Sequence, residues 1–438
     1  MLAKRIDTDE SLAPAYGTRY LTQPIPRYAL PDGEMPAELA YRLIHDELNL
    51  DGNPELNLAT FVTTWMEPEA DKLMTESLGR NYIDADEYPQ TTEIQNRCVN
   101  MLARLFNAAV GTGVGCATVG SSEAIHLAGL ALKWRWRERR SAAGLSADRP
   151  NLVMGHNVQV CWEKFARYFD VEPRYVPLTE GRWVLGVPEA IAMVDENTIG
   201  VVGILGSTYT GEYEPIEELH SALVKLNAHS GWDVPIHVDA ASGGFVAPFL
   251  RPELAWDFRL PLVRSINTSG HKYGLVYPGV GWVIWHDQSD LPEDLIFHVN
   301  YLGADQPTFN LNFSRGAGQI LAQYYNFLRL GRAGYTSIMT GLAETAAEVA
   351  EAVSATGHFE VLSKADALPL VCFRLIGERP YSVFDISARL RERGWIVPAY
   401  TLAPDATDVA VLRVVVREGL SRDMADLLVG DLDRAVHD

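Results

Sequence analysis

Short apolar runs alternate with amphipathic stretches from about residue 57 to residue 330 of this chain. Five runs are of strand type: NLVMG (151–155), IGVVGILG (199–206), VPIHVD (234–239), VRSINTS (263–269) and VGWVIW (280–285). Apolar residues recur at helical spacing in the segments TTEIQNRCVNMLARLFNA and SSEAIHLAGLALKWRWRERR. Buried strands that alternate with helices indicate a mostly parallel central sheet, so the pattern predicts an α/β fold.

The pattern changes at both ends of this region. The start of the chain is irregular until MPAELAYRLIHDELNL, where Leu39, Leu43, Ile44 and Leu48 follow helical spacing. The segment YYNFLRLGRAGYTSIMTGLAETAAEVAEAVSA predicts a long helix, and the strand-like runs LPLVCFRL and VLRVVV follow it. We therefore predict three parts: an N-terminal arm and helix over 1–55, a large domain over 56–340, and a small C-terminal α+β domain over 341–438. The arm is expected to pack on the main body or on another subunit.

Composition narrows the class of protein. The chain has 438 residues, of which 47% are hydrophobic and 21% charged, as in globular proteins with a large core. Its net charge of −20 argues against binding to nucleic acid or to an anionic membrane. The basic stretch KWRWRERR is better explained by the preference of cations for a helix C-terminus.

The sequence also bears on the cellular location of the protein and on the state of its cysteines. No apolar run approaches the ~20 residues of a membrane span, and the segment MLAKRIDTDESLAP lacks the apolar core of a secretory signal. We therefore expect a cytoplasmic protein. Cys98, Cys116, Cys161 and Cys372 are scattered without metal-ligand spacing, so we expect buried free thiols and no metal site.

Two charged side chains follow neighbouring predicted strands. Asp239 ends VPIHVD, and Lys272 follows VRSINTS between Gly270 and Gly274. About one strand-plus-crossover unit separates them, which places both at the same sheet edge. Alone, Asp239 could be a strand-end cap and Lys272 a surface lysine. Together they match the way proteins hold pyridoxal phosphate, with a lysine Schiff base and an acidic partner for the pyridinium nitrogen.

A cofactor of this kind also needs an anion site for its phosphate. Gly120, Ser121 and Ser122 stand at the start of a predicted helix. Hydroxyl groups, free N–H groups and the positive end of the helix dipole together favour an anion there. A plain helix cap would explain one serine but explains the Gly-Ser-Ser cluster less well.

Five ordered segments carry a family resemblance: NYIDADEYPQTTEIQNRCVNMLA, SSEAIHLAGLALKWRWRERR, HVDAASGGFVAPF, INTSGHKYGLVYPGVGWVIW and NFSRGAGQILAQYYNFLRLGRAGY. They resemble the glutamate decarboxylases, which are group II decarboxylases of the fold-type-I, pyridoxal-phosphate-dependent class. The resemblance extends from about residue 20 to residue 430. It implies the fold of that class, a large domain with a mostly parallel sheet and a small C-terminal α+β domain, and it implies pyridoxal 5'-phosphate as cofactor.

The resemblance also implies roles for individual residues. Lys272 would bind the cofactor covalently, and Asp239 would pair with its ring nitrogen. Tyr301, where the family has a catalytic loop, would return a proton to Cα, with His271 as the rival donor; alone, Tyr301 would be a loop aromatic. The other implied cofactor contacts are Ser121, Ser122, Gln159, Thr208, Ala241, Ser269, His271 and, toward the phosphate of a neighbouring subunit, Ser314.

The substrate contacts follow in the same way. Arg413 matches the arginine that pairs with the α-carboxylate, although a structural strand arginine is the alternative. Thr60, Phe61, Asn81 and Asp84 match the pocket for the distal carboxylate, completed across a dimer. Two ionised carboxylates in contact repel each other, so either Asp84 or the distal carboxylate of the substrate should bind a proton. This suggests a preference for acidic pH.

The resemblance implies α-decarboxylation of L-glutamate to 4-aminobutanoate and CO₂ by a homodimer or higher homo-oligomer, with a hexamer possible. The same chemistry on aspartate or cysteate is the alternative, because one methylene changes pocket fit by only ~1–3 kcal/mol. A catalytically silent scaffold is disfavoured by the presence of both Lys272 and Asp239. The chain ends in DLDRAVHD, so we expect no calmodulin-binding tail and no closure of the site by His437.

Overall fold

A computed structural model of the chain describes residues 25–109, 111, 113–300 and 306–437. The chain divides into two units, Met1–Pro54 and Glu55–Asp438. The described part of the first unit contains helix α1 (Ala37–Leu48), at the predicted position. Leu39 is buried, whereas Ile44 and Leu48 are exposed. The expectation that this segment packs on the main body or on another subunit stays a prediction.

The second unit holds the remaining described elements, which alternate between strands and helices over most of its length. Its helices are α2 (Pro68–Glu76), α3 (Pro89–Leu105), α4 (Ser121–Ala142), α5 (Val160–Tyr168), α6 (Val187–Ala192), α7 (Ile216–Ser230), α8 (Ala247–Leu250), α9 (Gly318–Ala355), α10 (Val383–Glu392) and α11 (Arg422–His437). Its strands are β1 (Val114–Thr118), β2 (Asn151–Gly155), β3 (Glu172–Val176), β4 (Thr198–Ile204), β5 (Ile236–Asp239), β6 (Val263–Thr268), β7 (Gly281–Trp285), β8 (Phe297–Val299), β9 (Gln306–Thr308), β10 (Phe359–Val361), β11 (Leu370–Leu375), β12 (Ala399–Thr401) and β13 (Ala410–Val415).

The central sheet has seven strands among the described residues, in the order β1-β7-β6-β5-β4-β2-β3. From β6 to β3 the neighbouring strands are parallel, whereas β7 is antiparallel to both β1 and β6. The prediction of a mostly parallel sheet is confirmed. Strands β4 and β5 are buried along their whole length, which explains their continuous apolar runs.

A second sheet has the order β10-β11-β13-β12, and all its described pairs are antiparallel. One apolar core extends from the central sheet into this small sheet and includes Val201, Leu370 and Leu412. Helix α9 leads toward the small sheet and changes direction at Gly331, whose φ of 56° suits glycine. The predicted domain boundary near residue 340 falls inside this helix, and the division at that point stays a prediction.

Helix α4 shows how charged residues at a helix end are used within the chain. Arg135 and Arg139 pair with Asp233, at 2.8 and 3.2 Å between the guanidinium nitrogens and the carboxylate oxygen. Lys133 donates to the backbone carbonyl of Phe169 at 2.5 Å. Part of the basic stretch therefore holds the helix against neighbouring loops.

The cysteines and the helices bear on the expectations about thiols and membrane spans. All four cysteines, each within the described ranges, are buried free thiols. Among the described helices, none combines the length and the apolar character that a membrane crossing needs.

Candidate active site

A cavity of about 560 Å³ lies where β4, β5 and β6 end and α4 begins. Ligands of α/β proteins bind at this edge because the carboxyl ends of parallel strands and the first turns of helices meet there. Most of the predicted site residues line the cavity: Thr60, Phe61, Ser121, Ser122, Gln159, Thr208, Asp239, Ala241, Ser269, His271, Lys272 and Arg413.

Lys272 lies in the short segment that follows β6. Its Nζ donates to Ser242 Oγ at 3.2 Å and lies 5.3 Å from the centre of the Phe61 ring. Burial lowers the pKa of Lys272; the carboxylate of Asp239 opposes this effect, and the charge of Arg413 adds to it. A lysine with a lowered pKa is more often the free amine, which is the form that attacks an aldehyde.

Asp239 is the last residue of β5 and is only 5% exposed. Its Oδ2 accepts a hydrogen bond from Trp162 Nε1 at 2.9 Å, and its Oδ1 accepts from Asn267 Nδ2 at 3.0 Å and from the backbone N–H of Ala241 at 3.1 Å. Three N–H donors fix the carboxylate, so its oxygens face the cavity from a rigid position.

A second layer of buried polar groups supports Asp239. His237 Nε2 lies 2.8 Å from Asn267 Oδ1, and His237 Nδ1 lies 2.7 Å from Ser265 Oγ. Burial lowers the pKa of His237 to about 4, so the ring is neutral near pH 7. A neutral imidazole orients Asn267 without placing a second charge beside Asp239.

His271 precedes Lys272 and lies against the turn that starts α4. Burial, with a further contribution from the charge of Lys272, lowers the pKa of His271 to about 4. Its Nδ1 accepts a long hydrogen bond of 3.4 Å from the backbone N–H of Gly279. This assigns the ring hydrogen to Nε2, so His271 can donate a hydrogen bond from that atom.

The predicted anion site lies at the start of α4. Ser121 and Ser122 occupy the first two helical positions, and Ser121 Oγ lies 2.6 Å from Ser269 Oγ. A Cβ atom added to Gly281 would lie 2.4 Å from the backbone carbon of Gly120 and 2.7 Å from the backbone nitrogen of Ser121. Only glycine at position 281 therefore lets β7 approach this turn.

Arg413, a buried residue of β13, lines another part of the cavity. It donates to the backbone carbonyl of Thr208 and, at 2.6 Å, to that of Ala59. Its guanidinium carbon lies 4.8 Å from the centre of the Phe61 ring and 5.5 Å from that of Tyr400. Its Nε is buried and has no hydrogen-bond partner among the described residues, while the residue itself lines the cavity.

Three predicted residues lie together outside the cavity. Asn81 Nδ2 donates to Asp84 Oδ1 at 3.3 Å and to Ser314 Oγ at 3.4 Å. The structure of one chain therefore does not bring them to Lys272, and their roles stay predictions. Tyr301 lies outside the described residues.

The structure adds residues that sequence reasoning missed. Asn157, Cys161 and Ser242 line the cavity, as does Glu123, whose carboxylate accepts from the backbone N–H of Val119 at 2.8 Å. Glu123 lies in the segment SSEAIHLAGLALKWRWRERR and Ser242 in the small-residue run after Asp239, so the sequence offered a signal for these two. Trp162 and Asn267 contact Asp239 from other elements; Asn267 lies in the segment that carries Lys272, but no local pattern shows that either side chain bonds Asp239.

These features fit pyridoxal phosphate. The anion site at Ser121 and Ser122 can hold a phosphate, the fixed carboxylate of Asp239 can pair with a ring nitrogen, and Lys272 can bind an aldehyde. Residues 31–376 match the model of the pyridoxal-dependent decarboxylase conserved domain. The chain belongs to the pyridoxal-dependent decarboxylase family, and its cofactor is pyridoxal phosphate.

Particular relatives narrow this class. The chain is 58% identical to glutamate decarboxylase 5 of Arabidopsis thaliana over 98% of this chain and 87% of the relative. It is 50% identical to the glutamate decarboxylase of Aliivibrio fischeri over 99% of this chain and 94% of the relative. The solved structure of a Lactobacillus brevis glutamate decarboxylase superposes with a TM-score of 0.94 at 46% identity, covering 98% of each chain. Within its family, the chain is thus a relative of the glutamate decarboxylases.

Proposed function

We propose that this protein removes the α-carboxylate of L-glutamate, giving 4-aminobutanoate and CO₂. The observation that carries the proposal is that Lys272, Asp239 and Arg413 line one cavity beside an anion site. The glutamate decarboxylases of Arabidopsis thaliana and Aliivibrio fischeri, similar over nearly their whole length, support the choice of substrate.

When bound, pyridoxal phosphate supplies an electron sink for the electron pair released as the bond between Cα and the carboxylate breaks. Lys272 would hold the cofactor covalently, and its lowered pKa favours the reactive amine. Asp239 would keep a proton on the ring nitrogen through its fixed carboxylate. Ser121, Ser122 and Ser269 would bind the phosphate at the start of α4.

Arg413 would orient the substrate. Its positive charge in the wall of the cavity and its position over the Phe61 ring suit the α-carboxylate group. By fixing the orientation of this carboxylate, Arg413 would favour cleavage of the bond between Cα and the carboxylate over cleavage of the other bonds at Cα. The position of Arg413 therefore contributes to the choice of reaction.

A proton must return to Cα after CO₂ leaves. The low pKa of His271 makes an imidazolium donor rare near neutral pH, which favours a hydrogen-bonding role for this residue. Tyr301 is the better candidate for the proton donor. The product gains one proton at Cα, so each turnover consumes one proton from the medium.

We further infer that two copies of the chain complete the distal pocket. Asn81, Asp84 and Ser314 form a group outside the cavity of their own chain, as expected for residues that serve a neighbouring subunit. A site shared in this way requires at least a homodimer.

The test is CO₂ release from L-glutamate, L-aspartate, L-cysteate and L-tyrosine with added pyridoxal phosphate, from acidic to neutral pH. We expect release from glutamate, with higher activity at acidic pH because of Asp84. Lys272→Ala should abolish release, whereas Lys225→Ala on the exposed face of α7 should not change it. Release from aspartate or cysteate with glutamate inactive would show that the distal pocket is assigned wrongly, and a flat pH profile would remove the role of Asp84.

A further inference from the structure

Residues 56–64, here called the strap, cross from the small sheet to the segment that carries Lys272. At the small-sheet side, the backbone N–H of Leu58 donates to the carbonyl of Ile396 at 3.0 Å, and the N–H of Val415 donates to the carbonyl of Leu58 at 3.0 Å. Arg413 donates to the carbonyl of Ala59 at 2.6 Å. This end of the strap is therefore fixed to β13.

The other end of the strap is fixed to the lysine segment through Thr63. The backbone N–H of Thr63 donates to the carbonyl of His271 at 2.9 Å, and its Oγ1 donates to the carbonyl of Lys272 at 2.8 Å. Thr63 is only 1% exposed, so these bonds are shielded from water. Thr63 does not line the cavity, although its neighbours Thr60 and Phe61 do.

The carbonyl of Lys272 accepts two hydrogen bonds, one from the Thr63 hydroxyl and one, at 3.0 Å, from the backbone N–H of Leu275 in the same segment. Within it, Lys272 N–H donates to the carbonyl of Ser269 at 3.3 Å, a long bond, and Gly270 and Gly274 flank the lysine. Gly270 is closely packed against the side chain of Gln323, so contacts from outside the segment help to hold the backbone at Lys272. The Thr63 hydroxyl supplies such a contact at the residue that reacts.

We propose that Thr63 is a positioning residue that fixes the backbone of Lys272 and so sets the rate at which this lysine binds the cofactor. The strap also contacts Arg413, so one nine-residue segment contacts both the lysine and the arginine of the site and helps to fix the distance between them. The inference rests on the proposed function only for its effect on turnover, because cofactor binding is measured without substrate.

A purely structural role for Thr63 is the competing explanation. Thr198 provides the matched control, because it is also fully buried and its hydroxyl donates to Asn151 Oδ1 at 2.7 Å. Asn151 begins β2 and Thr198 begins β4. Their hydrogen bond therefore lies at the amino ends of these two parallel strands, on the edge of the central sheet opposite the cavity. Thr198→Val therefore removes a buried hydroxyl without touching the lysine segment.

The experiment mixes apoprotein with pyridoxal phosphate and follows the visible absorbance of the lysine-linked cofactor. We expect Thr63→Val to slow its appearance by about tenfold, the effect of one buried hydrogen bond, while Thr63→Ser stays close to the wild type. Turnover of glutamate should fall through kcat with KM little changed. Thr198→Val should lower Tm but leave the rate of cofactor binding unchanged.

Two results would overturn the proposal. One is a wild-type rate of cofactor binding in Thr63→Val; the other is an equal slowing in Thr198→Val. If Thr63→Val does not fold, Thr63→Ala, which also lacks the hydroxyl, is measured instead under the same criteria. A wild-type protein that binds cofactor but releases no CO₂ from glutamate would refute the proposed substrate and leave the role of Thr63 intact.

Discussion

Glu214 is a buried carboxyl group behind the cavity, and its replacement by glutamine isolates the effect of one proton on stability. Its Oε2 accepts from the backbone N–H of Ile204 at 2.7 Å, and its Oε1 accepts from the N–H of Leu185 at 3.0 Å and from Asn157 Nδ2 at 3.1 Å. Burial nevertheless raises the pKa of Glu214 to about 7. Glu214→Gln keeps the shape of the side chain and cannot ionise.

The direction in which stability changes with pH depends on the pKa of Glu214 in the folded and in the unfolded protein. The pKa of Glu214 rises from 4.5 to about 7 on folding, so between these values the folded protein binds the proton more tightly. The stabilisation is complete below pH 4.5 and is lost as the pH rises through about 7. At about 1.4 kcal/mol per pH unit, the full interval corresponds to roughly 3 kcal/mol.

The assay is thermal unfolding of the wild type and Glu214→Gln between pH 5 and pH 8. We expect the Tm of the variant to rise relative to the wild type as the pH increases, because only the wild type loses stability by ionising Glu214. If the glutamine amide faces an N–H donor, that cost is the same at every pH. It therefore does not change the slope of the Tm difference against pH. His237 and His271 titrate in both proteins and cancel as well.

Glu217→Gln, at an exposed position of α7, serves as the control and should show no change of slope. If the difference in Tm between Glu214→Gln and the wild type is the same at every pH, the reasoning about the buried proton is wrong.

The remaining predictions concern the site. Gly281→Ala would place a Cβ atom 2.4 Å from the turn before α4, so cofactor affinity in an absorbance titration should fall by about tenfold or more, whereas Gly341→Ala, with no atom within 4 Å, should leave it unchanged. Asp239→Asn removes the charge at the ring nitrogen and should lower kcat for glutamate by about 10²–10³; an unchanged kcat would contradict the assigned role. Arg413→Lys loses the planar fork and should raise KM by about 10–100-fold in initial-rate kinetics, and an unchanged KM would favour a structural arginine.

The strands that the sequence predicted are those whose residues are buried along their length. NLVMG matches β2 at both ends, and VPIHVD and VGWVIW match β5 and β7 to within a residue or two. Strand β3 was missed because it lies at the sheet edge, where Glu172, Pro173 and Arg174 replace the apolar pattern. Strand β1 was missed because Val114 is the one large aliphatic residue in VGCAT, so the segment has no continuous apolar run.

The apolar pattern of a strand does not predict whether the strand is parallel or antiparallel to its neighbours. Strand β7 is as apolar as β4, yet it runs antiparallel to both of its neighbours. Burial on both faces selects apolar residues whatever the direction of the strand, so direction depends on the connection between strands.

The amino-acid sequence by itself determined the α/β class, the order of the elements and the candidate site residues, because Lys272, Asp239 and the serines that begin α4 stand in short motifs at element ends. Tertiary structure alone decided which residues hold them: Trp162 and Asn267 on Asp239, and Thr63 on the lysine segment. These partners come from distant parts of the chain, and a hydrogen bond between them depends on packing that no local pattern records.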